Sequence, residues 1–433
     1  LSFIVDCVLQ LNEWSFIIEV KEIRYMNPVM ISLLLFLGLS MFANTMSKRL
    51  WLLYAAEPEN RINSPFQRLL QLIKIGFGQQ RLLFEPAAGL MHVVIFFGFL
   101  VVAIRTITLF GQGFNADFHI PGSIGQIYAF IKDSFAVLVI VALFYALIRR
   151  LITKPTRLHL STEAVIVLLM IMALMVTDFI GDAALFVLHP SSHDFGFAWA
   201  GTALMPIFQN AHPDAILLWF NWMYWVHVVL IMVFLNFLPF GKHFHVLTAL
   251  ANVFTMRLDA PGTLERMEFE GKEIFGVGKV EDFTWPRMLD MFSCTECGRC
   301  TVHCPTSVTG KPLQPRDLIC DQRDHLYSIN EQLQKVGQLK VAGKLEEANK
   351  LSASIEREAL TGGIISEDVI WGCTTCGYCQ TVCPVGIEHI PNIIDMRRYL
   401  TMMEAKMPSE LAVSLKGLET NSNPWNVSAQ ARE

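Results

Sequence analysis

The chain has 433 residues, of which 53% are hydrophobic and 17% charged, too apolar for an ordinary soluble protein, so membrane segments are expected. Its net charge of −5 is small for this length, and no basic tract carries interleaved aromatic residues, which argues against a nucleic-acid partner. Ten cysteines are present, and eight of them fall in two runs after the last apolar block.

The chain begins at Leu1 rather than Met, as a processed product or a fragment would. Residues 1–25 mix apolar and charged side chains without the pattern of a signal peptide and form an unassigned segment. Five stretches then have the length and apolarity of membrane-spanning helices, at about 27–46, 86–110, 125–148, 160–188 and 214–240. The odd count puts the two ends of this block on opposite sides. The first connection carries Lys48, Arg49, Arg61, Arg68, Lys74 and Arg81, and the third carries Arg149, Arg150, Lys154 and Arg157. The connections at 111–122 and 189–213 hold no Lys or Arg, so the positive-inside rule places the basic connections, and everything after Lys242, in the cytoplasm. Trp219, Trp222 and Trp225 then fall near the outer interface, and a location in the cell inner membrane follows. Within the first connection, NSPFQRLLQLIKIGFG spaces apolar residues as an interfacial amphipathic helix does.

After residue 250 the composition turns to that of a soluble domain, with a helical, solvated insert at about 330–360. The runs CTECGRCTVHCP (294–305) and CTTCGYCQTVCP (373–384) repeat the spacing C-x2-C-x2-C-x3-C-P. In two-cluster domains with this spacing, three thiolates of each run hold one 4Fe-4S cluster and the fourth ligates the other. The assignment is therefore Cys294, Cys297, Cys300 and Cys383 for one cluster, and Cys304, Cys373, Cys376 and Cys379 for its neighbour. A tetrahedral zinc site would leave half of these cysteines without a role. Disulfides do not suit a cytoplasmic domain. Cys7 and Cys320 lie outside both runs and read as ordinary thiols. The separation of 69 positions between Cys304 and Cys373 implies a ferredoxin-like domain with helical insertions.

The fifth span carries His227, with His243 and His245 at its far end, and ionisable residues in a span mark a site. On one continuous helix His227 and His245 would share a face about 27 Å apart. His243 would point away from both. Two ligands at two depths suit two stacked haems, and His92, near the cytoplasmic start of the second span, matches the depth of His245.

The stretches LMHVVIFFGFL and HVVLIMVFLNFLPFGKHFH resemble the haem-binding helices of the nitrate reductase gamma subunit family, five-helix dihaem cytochromes b. The resemblance covers residues 27–250 and implies that His92 and His245 bind the haem nearer the cytoplasm, while His227 serves the outer one. In that family the second helix supplies another histidine ten residues on, where this sequence has Val102. The outer haem is then missing, or it takes its ligand elsewhere, with His189, His193 and His212 as candidates. Joined to a two-cluster domain, the whole resembles membrane iron–sulfur oxidoreductases related to heterodisulfide reductase, including those that pass electrons from electron-transfer flavoprotein to menaquinone. NSNPWNVSAQARE at the end resembles the stretch that precedes a cysteine-rich CCG domain, which would be truncated here or reside on a separate polypeptide.

The expected fold is mainly α: a five-helix transmembrane cytochrome b bundle (26–250), a linker (251–285), a cytoplasmic helical ferredoxin-like domain with two 4Fe-4S clusters (286–410) and a tail (411–433). Arg105, Lys132, Asp133, Asp178 and Asp182 cluster toward the outer ends of their spans, as residues lining a quinone site or as ion pairs. The expected function is membrane-bound electron transfer between a cytoplasmic redox partner and menaquinone through the clusters and haem b. Two alternatives stay open: a non-catalytic anchor and wire in a larger complex, and quinol-driven disulfide reduction on a partner protein.

Overall fold

The computed structural model describes residues 27–158, 161–260, 263–271 and 273–432; the N-terminal segment with Cys7 lies outside them. The described residues are helical, with two isolated bridges, Glu57 to Thr284 and Thr361 to Ile365, in place of any sheet. In chain order, α1 (Pro28–Ala55) is followed by the short α2 (Pro65–Gln71), then α3 (Pro86–Phe114), α4 (Gly122–Ile148), α5 (Thr162–Leu188), a short α6 (Trp199–Leu204) and α7 (Pro213–Phe237). Helices α1, α3, α4, α5 and α7 are long and apolar enough to cross a membrane. In lipid only a helix satisfies its own backbone, and the prolines that open α1, α3 and α7 fall where no helical N–H is needed.

The chain divides into two compact units. The first comprises, of the described residues, those up to Met41, Met91–Ile148 and Val165–Asn236, and it packs Ile31, Leu109, Ala183, Phe220, Tyr224 and Val228 into one core and Ala136, Leu143, Met175 and Phe179 into another. Phe36, Ile107, Val141 and Trp222 are exposed on it, as side chains that meet lipid would be.

The second unit comprises Phe42–Leu90, Arg149–Ala164 and Phe237–Glu433, so both basic connections belong with the cysteine-rich region. Its α2 runs on as a π-helical turn, Leu72–Phe77. Here Phe66, Leu69, Leu70 and Ile73 are exposed, whereas Arg68 is buried and donates to the Phe254 and Met256 carbonyls at 3.1 and 2.8 Å. The unit continues with α8 (His245–Thr255), α9 (Trp285–Ser293), α10 (Arg299–Val302), α11 (Pro305–Val308), α12 (Pro315–Ser328), α13 (Asn330–Val341), α14 (Leu345–Ser354), α15 (Glu367–Gly372), α16 (Tyr378–Val382), α17 (His389–Met402) and α18 (Ser409–Asn421). Its core gathers Leu52, Phe244, Phe283, Met291, Leu326 and Met396, and the insert joins it through Leu333, Val336 and Ala348.

One sequence expectation is corrected. His227 and His245 do not share a continuous helix: α7 stops at Phe237, a 3-10 turn covers Gly241–Phe244, and α8 starts afresh at His245. Pro239 has no N–H to continue the ladder, and Gly241 adopts φ +62°, a left-handed conformation that ends the helix. The one-face argument therefore does not apply.

Candidate redox site

The two cysteine runs adopt the same backbone course. Cys294 and Cys373 follow α9 and α15 in extended conformation, with ψ of 120° and 128°. The third residue of each run, Glu296 or Thr375, turns left-handed at φ +54° or +55°, and the glycine after the second cysteine does so again, at +72° for Gly298 and +79° for Gly377. These turns bend three cysteines toward a common centre. Each glycine then opens a short helix, α10 or α16, that ends at the fourth cysteine, again extended.

The runs lie against each other: Cys383 interacts electrostatically with Cys297 and Cys300, Cys304 with Cys373 and Cys379, and Cys300 with Cys379 as well. A cavity is lined by Cys304, Cys373, Cys376 and Cys379 of the second group and by Cys300 of the first. A mononuclear zinc would hold its sulfurs about 3.8 Å apart, given Zn–S bonds of about 2.3 Å. Among the described residues, no group of three or more cysteines has all its sulfurs within 4.8 Å of one another. Burial pushes the Cys383 thiol up to about 11, and burial with neighbouring thiols raises Cys300, Cys373 and Cys379 as well. Such thiols keep their protons until a metal displaces them. Cys320 meets Cys294, and this contact together with burial raises the Cys294 thiol.

Basic side chains bind the outside of the cradle through carbonyls. Arg81 donates to the Cys383 and Gln380 carbonyls at 2.9 and 3.2 Å, and Arg397 to those of Cys373 and Ile370 at 2.6 and 3.0 Å. The Ile387 amide donates to the Cys383 sulfur at 3.4 Å and the Thr375 amide to that of Cys373 at 3.3 Å, contacts of the kind that set a cluster's potential. The role of Arg397 had no local sequence signal, and Arg81 signalled only topology.

The histidines are separately held. His227, 3% exposed, has its Nδ1 2.8 Å from Thr177 Oγ1, and the Thr177 hydroxyl donates in turn to the Ala173 carbonyl at 2.8 Å. With Nδ1 engaged by Thr177, Nε2 is the nitrogen through which His227 could meet a metal. His245 is fixed alike, its Nδ1 donating to the Lys242 carbonyl at 2.7 Å, and burial lowers its pKa so that the ring is neutral. Burial likewise pushes His243 down to about 4. His92 lies half-buried on α3, and Val102 packs against the Ala136 and Leu143 core. Of the candidates for a second outer ligand, His212 and His189 lie far from His227 along their helices. His212 precedes α7 and is about 22 Å along the chain's helical rise from His227, His189 is about 18 Å from Thr177 by the same measure, and the His193 ring stands 5.0 Å from that of His119. Thr177 itself was not legible as a partner, since hydroxyls are common in spans.

Arg105, Lys132, Asp133, Asp178 and Asp182 come together as ion pairs. Lys132 Nζ sits 2.7 Å from Asp178, 2.7 Å from Asp182 and 3.0 Å from Asp133, and Arg105 binds Asp178 and Asp182 at 2.9 and 3.0 Å. Asp133 also accepts from the Ala200 amide at 2.7 Å. The ammonium thus fills the centre of the three carboxylates, the place a metal ion would take.

These features define a membrane protein with an iron–sulfur domain: residues 293–388 match the 4Fe-4S dicluster domain family. The chain is 32% identical over 401 residues to the probable iron-sulfur-binding oxidoreductase FadF of Bacillus subtilis, covering 87% of this chain and 56% of that protein. It is 30% identical over 393 residues to the EtfAB:quinone oxidoreductase of Syntrophomonas wolfei, covering 87% and 55%. A shorter match, 34% over 116 residues, is to one of the subunits of the dihydromethanophenazine:CoB–CoM heterodisulfide reductase of Methanosarcina barkeri, and it covers 25% of this chain and 24% of that one. The chain spans about half the length of the first two relatives. No solved structure matches. The resemblance to membrane iron–sulfur oxidoreductases related to heterodisulfide reductase therefore holds.

Proposed function

We propose that this chain carries electrons between a soluble redox partner and menaquinone in the cell inner membrane, through two 4Fe-4S clusters and haem b. The observation that carries the reading is the eight-cysteine cradle in a chain whose spans and adjoining helix hold two histidines by Nδ1. Cys294, Cys297, Cys300 and Cys383 hold one cluster, Cys304, Cys373, Cys376 and Cys379 the other, and His92, His227 and His245 are the haem ligands. When bound, these groups supply one-electron steps. The protein's part is to fix them: the left-handed turns aim the thiolates, Arg81 and Arg397 brace the loops, and Thr177 and the Lys242 carbonyl engage the histidines at Nδ1. The cluster domain faces the cytoplasm with the basic connections, where an electron-transfer flavoprotein or an iron–sulfur protein with a CCG domain would meet it. The likeness to a heterodisulfide reductase favours a second reading, in which the same wire runs from quinol to a disulfide on a partner.

The test is to load the full chain anaerobically, count iron, sulfide and haem, reduce it with dithionite and add a menaquinone analogue. About eight non-haem irons per chain and a ferrous haem b band that bleaches on adding the quinone are expected. Absence of haem, or a band indifferent to quinone, would overturn the reading.

A further inference from the structure

The two runs share a backbone and differ in their surroundings. Cys294 and Cys383, one from each run, pack with Ile319, Val385, Ile387 and Ala249, and at 6% and 7% exposed they are no more buried than Cys304 and Cys379 at 8% each. Ala249 lies on α8, four residues after His245, a rise of about 6 Å. The first run lies against segments that flank the spans, and Arg81 of the first connection also binds the Cys383 and Gln380 carbonyls of the second run. The Arg157 carbonyl lies 2.7 Å from where a Gly298 Cβ would stand, Arg299 donates to the Arg81 carbonyl at 3.0 Å, and Lys242 pairs with Glu296 at 3.7 Å. The second run is open at its second cysteine. Among the nine described cysteines Cys376 alone is exposed, beside exposed Thr374 and Thr375. Tyr378 of the same run meets exposed His303 edge-on at 5.4 Å.

We propose that the clusters have a fixed order. The cluster on Cys294, Cys297, Cys300 and Cys383 is the inner one, exchanging electrons with haem at His245, and the cluster on Cys304, Cys373, Cys376 and Cys379 is the port over which a soluble electron-carrier protein docks. Electron tunnelling decays exponentially with distance, so the carrier's cofactor has to approach the exposed ligand. Cys304, Cys373, Cys376 and Cys379 would hold the group that takes each electron the reduced carrier loses, and Cys294, Cys297, Cys300 and Cys383 the group that would hand it on toward a haem at His245. Two such passages, with two protons from water, convert one quinone to quinol. The order rests on the wire proposed above.

The experiment uses the full chain loaded with iron and sulfide, with electron paramagnetic resonance of the reduced clusters and a soluble dysprosium chelate as relaxing probe. Cys376→Ser and Cys294→Ser assign the two signals by changing one ligand of each; if either substitution drops four irons instead, the missing signal is assigned by difference. The chelate is expected to raise the half-saturation power of the Cys376-assigned signal about ten-fold and that of the other less than two-fold. Relaxation of the ferric haem is expected to quicken as the Cys294-assigned cluster is reduced. Equal response of both signals, or a haem that follows the Cys376-assigned cluster, would overturn the order while leaving iron and haem content intact. Loss of haem with both clusters present would instead strike the wire, and failure to bind any cluster would strike both.

Discussion

The cysteine loops and the ion cluster of the spans are both dense groups of ionisable side chains, yet they are built in opposite ways. Each cysteine loop is encoded within twelve residues, 294–305 or 373–384, and is left chemically incomplete, with thiols that burial keeps protonated until metal arrives. The ion cluster draws Arg105 from α3, Lys132 and Asp133 from α4 and Asp178 and Asp182 from α5, and it is complete in itself. A cofactor site is thus a local motif awaiting a partner, whereas the charge cluster is a tertiary arrangement that has already neutralised most of its charge. Three acids face two bases there, and only the packing of three helices makes them neighbours.

The largest expected effect tests whether the cysteine loops interlock. If Cys383 serves the opposite run, Cys300→Ala with Cys383→Ala removes one cluster and leaves about four of the eight non-haem irons. Cys300→Ala with Cys379→Ala, one from each run's first three positions, removes both. Iron analysis of the two double variants reads the difference, and equal losses would dissolve the interlock.

The ion cluster answers to a different cut. Lys132→Met leaves three carboxylates with Arg105 alone in a buried setting, and removing one partner of a buried pair destabilises by about 3–5 kcal/mol. A fall in the thermal midpoint in detergent, with iron content unchanged in the surviving protein, is the expected result. An unchanged midpoint would mean that water reaches the group freely.

The same contrast explains what the sequence made legible. The five spans were readable because twenty apolar residues have few alternatives in lipid, and the cysteine runs because their spacing is itself the site. The break between His227 and His245 was signalled by Pro239, but the weight of the apolar stretch favoured one helix. Asp178 and Asp182 could be placed on one face of α5 from their spacing of four, yet whether they met a quinone or a lysine depended on where α3 and α4 put Arg105 and Lys132. Thr177 beneath His227, and Arg397 beneath Cys373, are contacts between residues 50 and 24 positions apart, which no local pattern encodes.

Acid should distinguish the cluster domain through His389. This side chain is 1% exposed, and burial pushes its pKa down to about 4 from an ordinary 6.5. Between those values the unfolded chain binds a proton that the folded domain refuses, so stability rises with pH across this window and is lost as pH falls from about 6.5 toward 4. The loss attributable to this residue is on the order of 3 kcal/mol. Denaturant unfolding at pH 7 and pH 4.5, followed by tryptophan fluorescence, should show a smaller pH difference in His389→Gln than in the parent protein.

The smallest effect tests the cover over the first cysteine loop. Gly298 and Gly377 occupy the same left-handed position of the repeat, at φ +72° and +79°, and alanine at either costs about 1 kcal/mol for backbone strain. At Gly298 a new methyl also meets the Arg157 carbonyl at 2.7 Å, which belongs to a connection between spans. Relieving that clash requires backbone movement and adds about 1–3 kcal/mol. Gly298→Ala is therefore expected to lower the denaturant midpoint by more than backbone strain alone accounts for. A loss of no more than about 1 kcal/mol would show that the connection at Arg157 yields without cost.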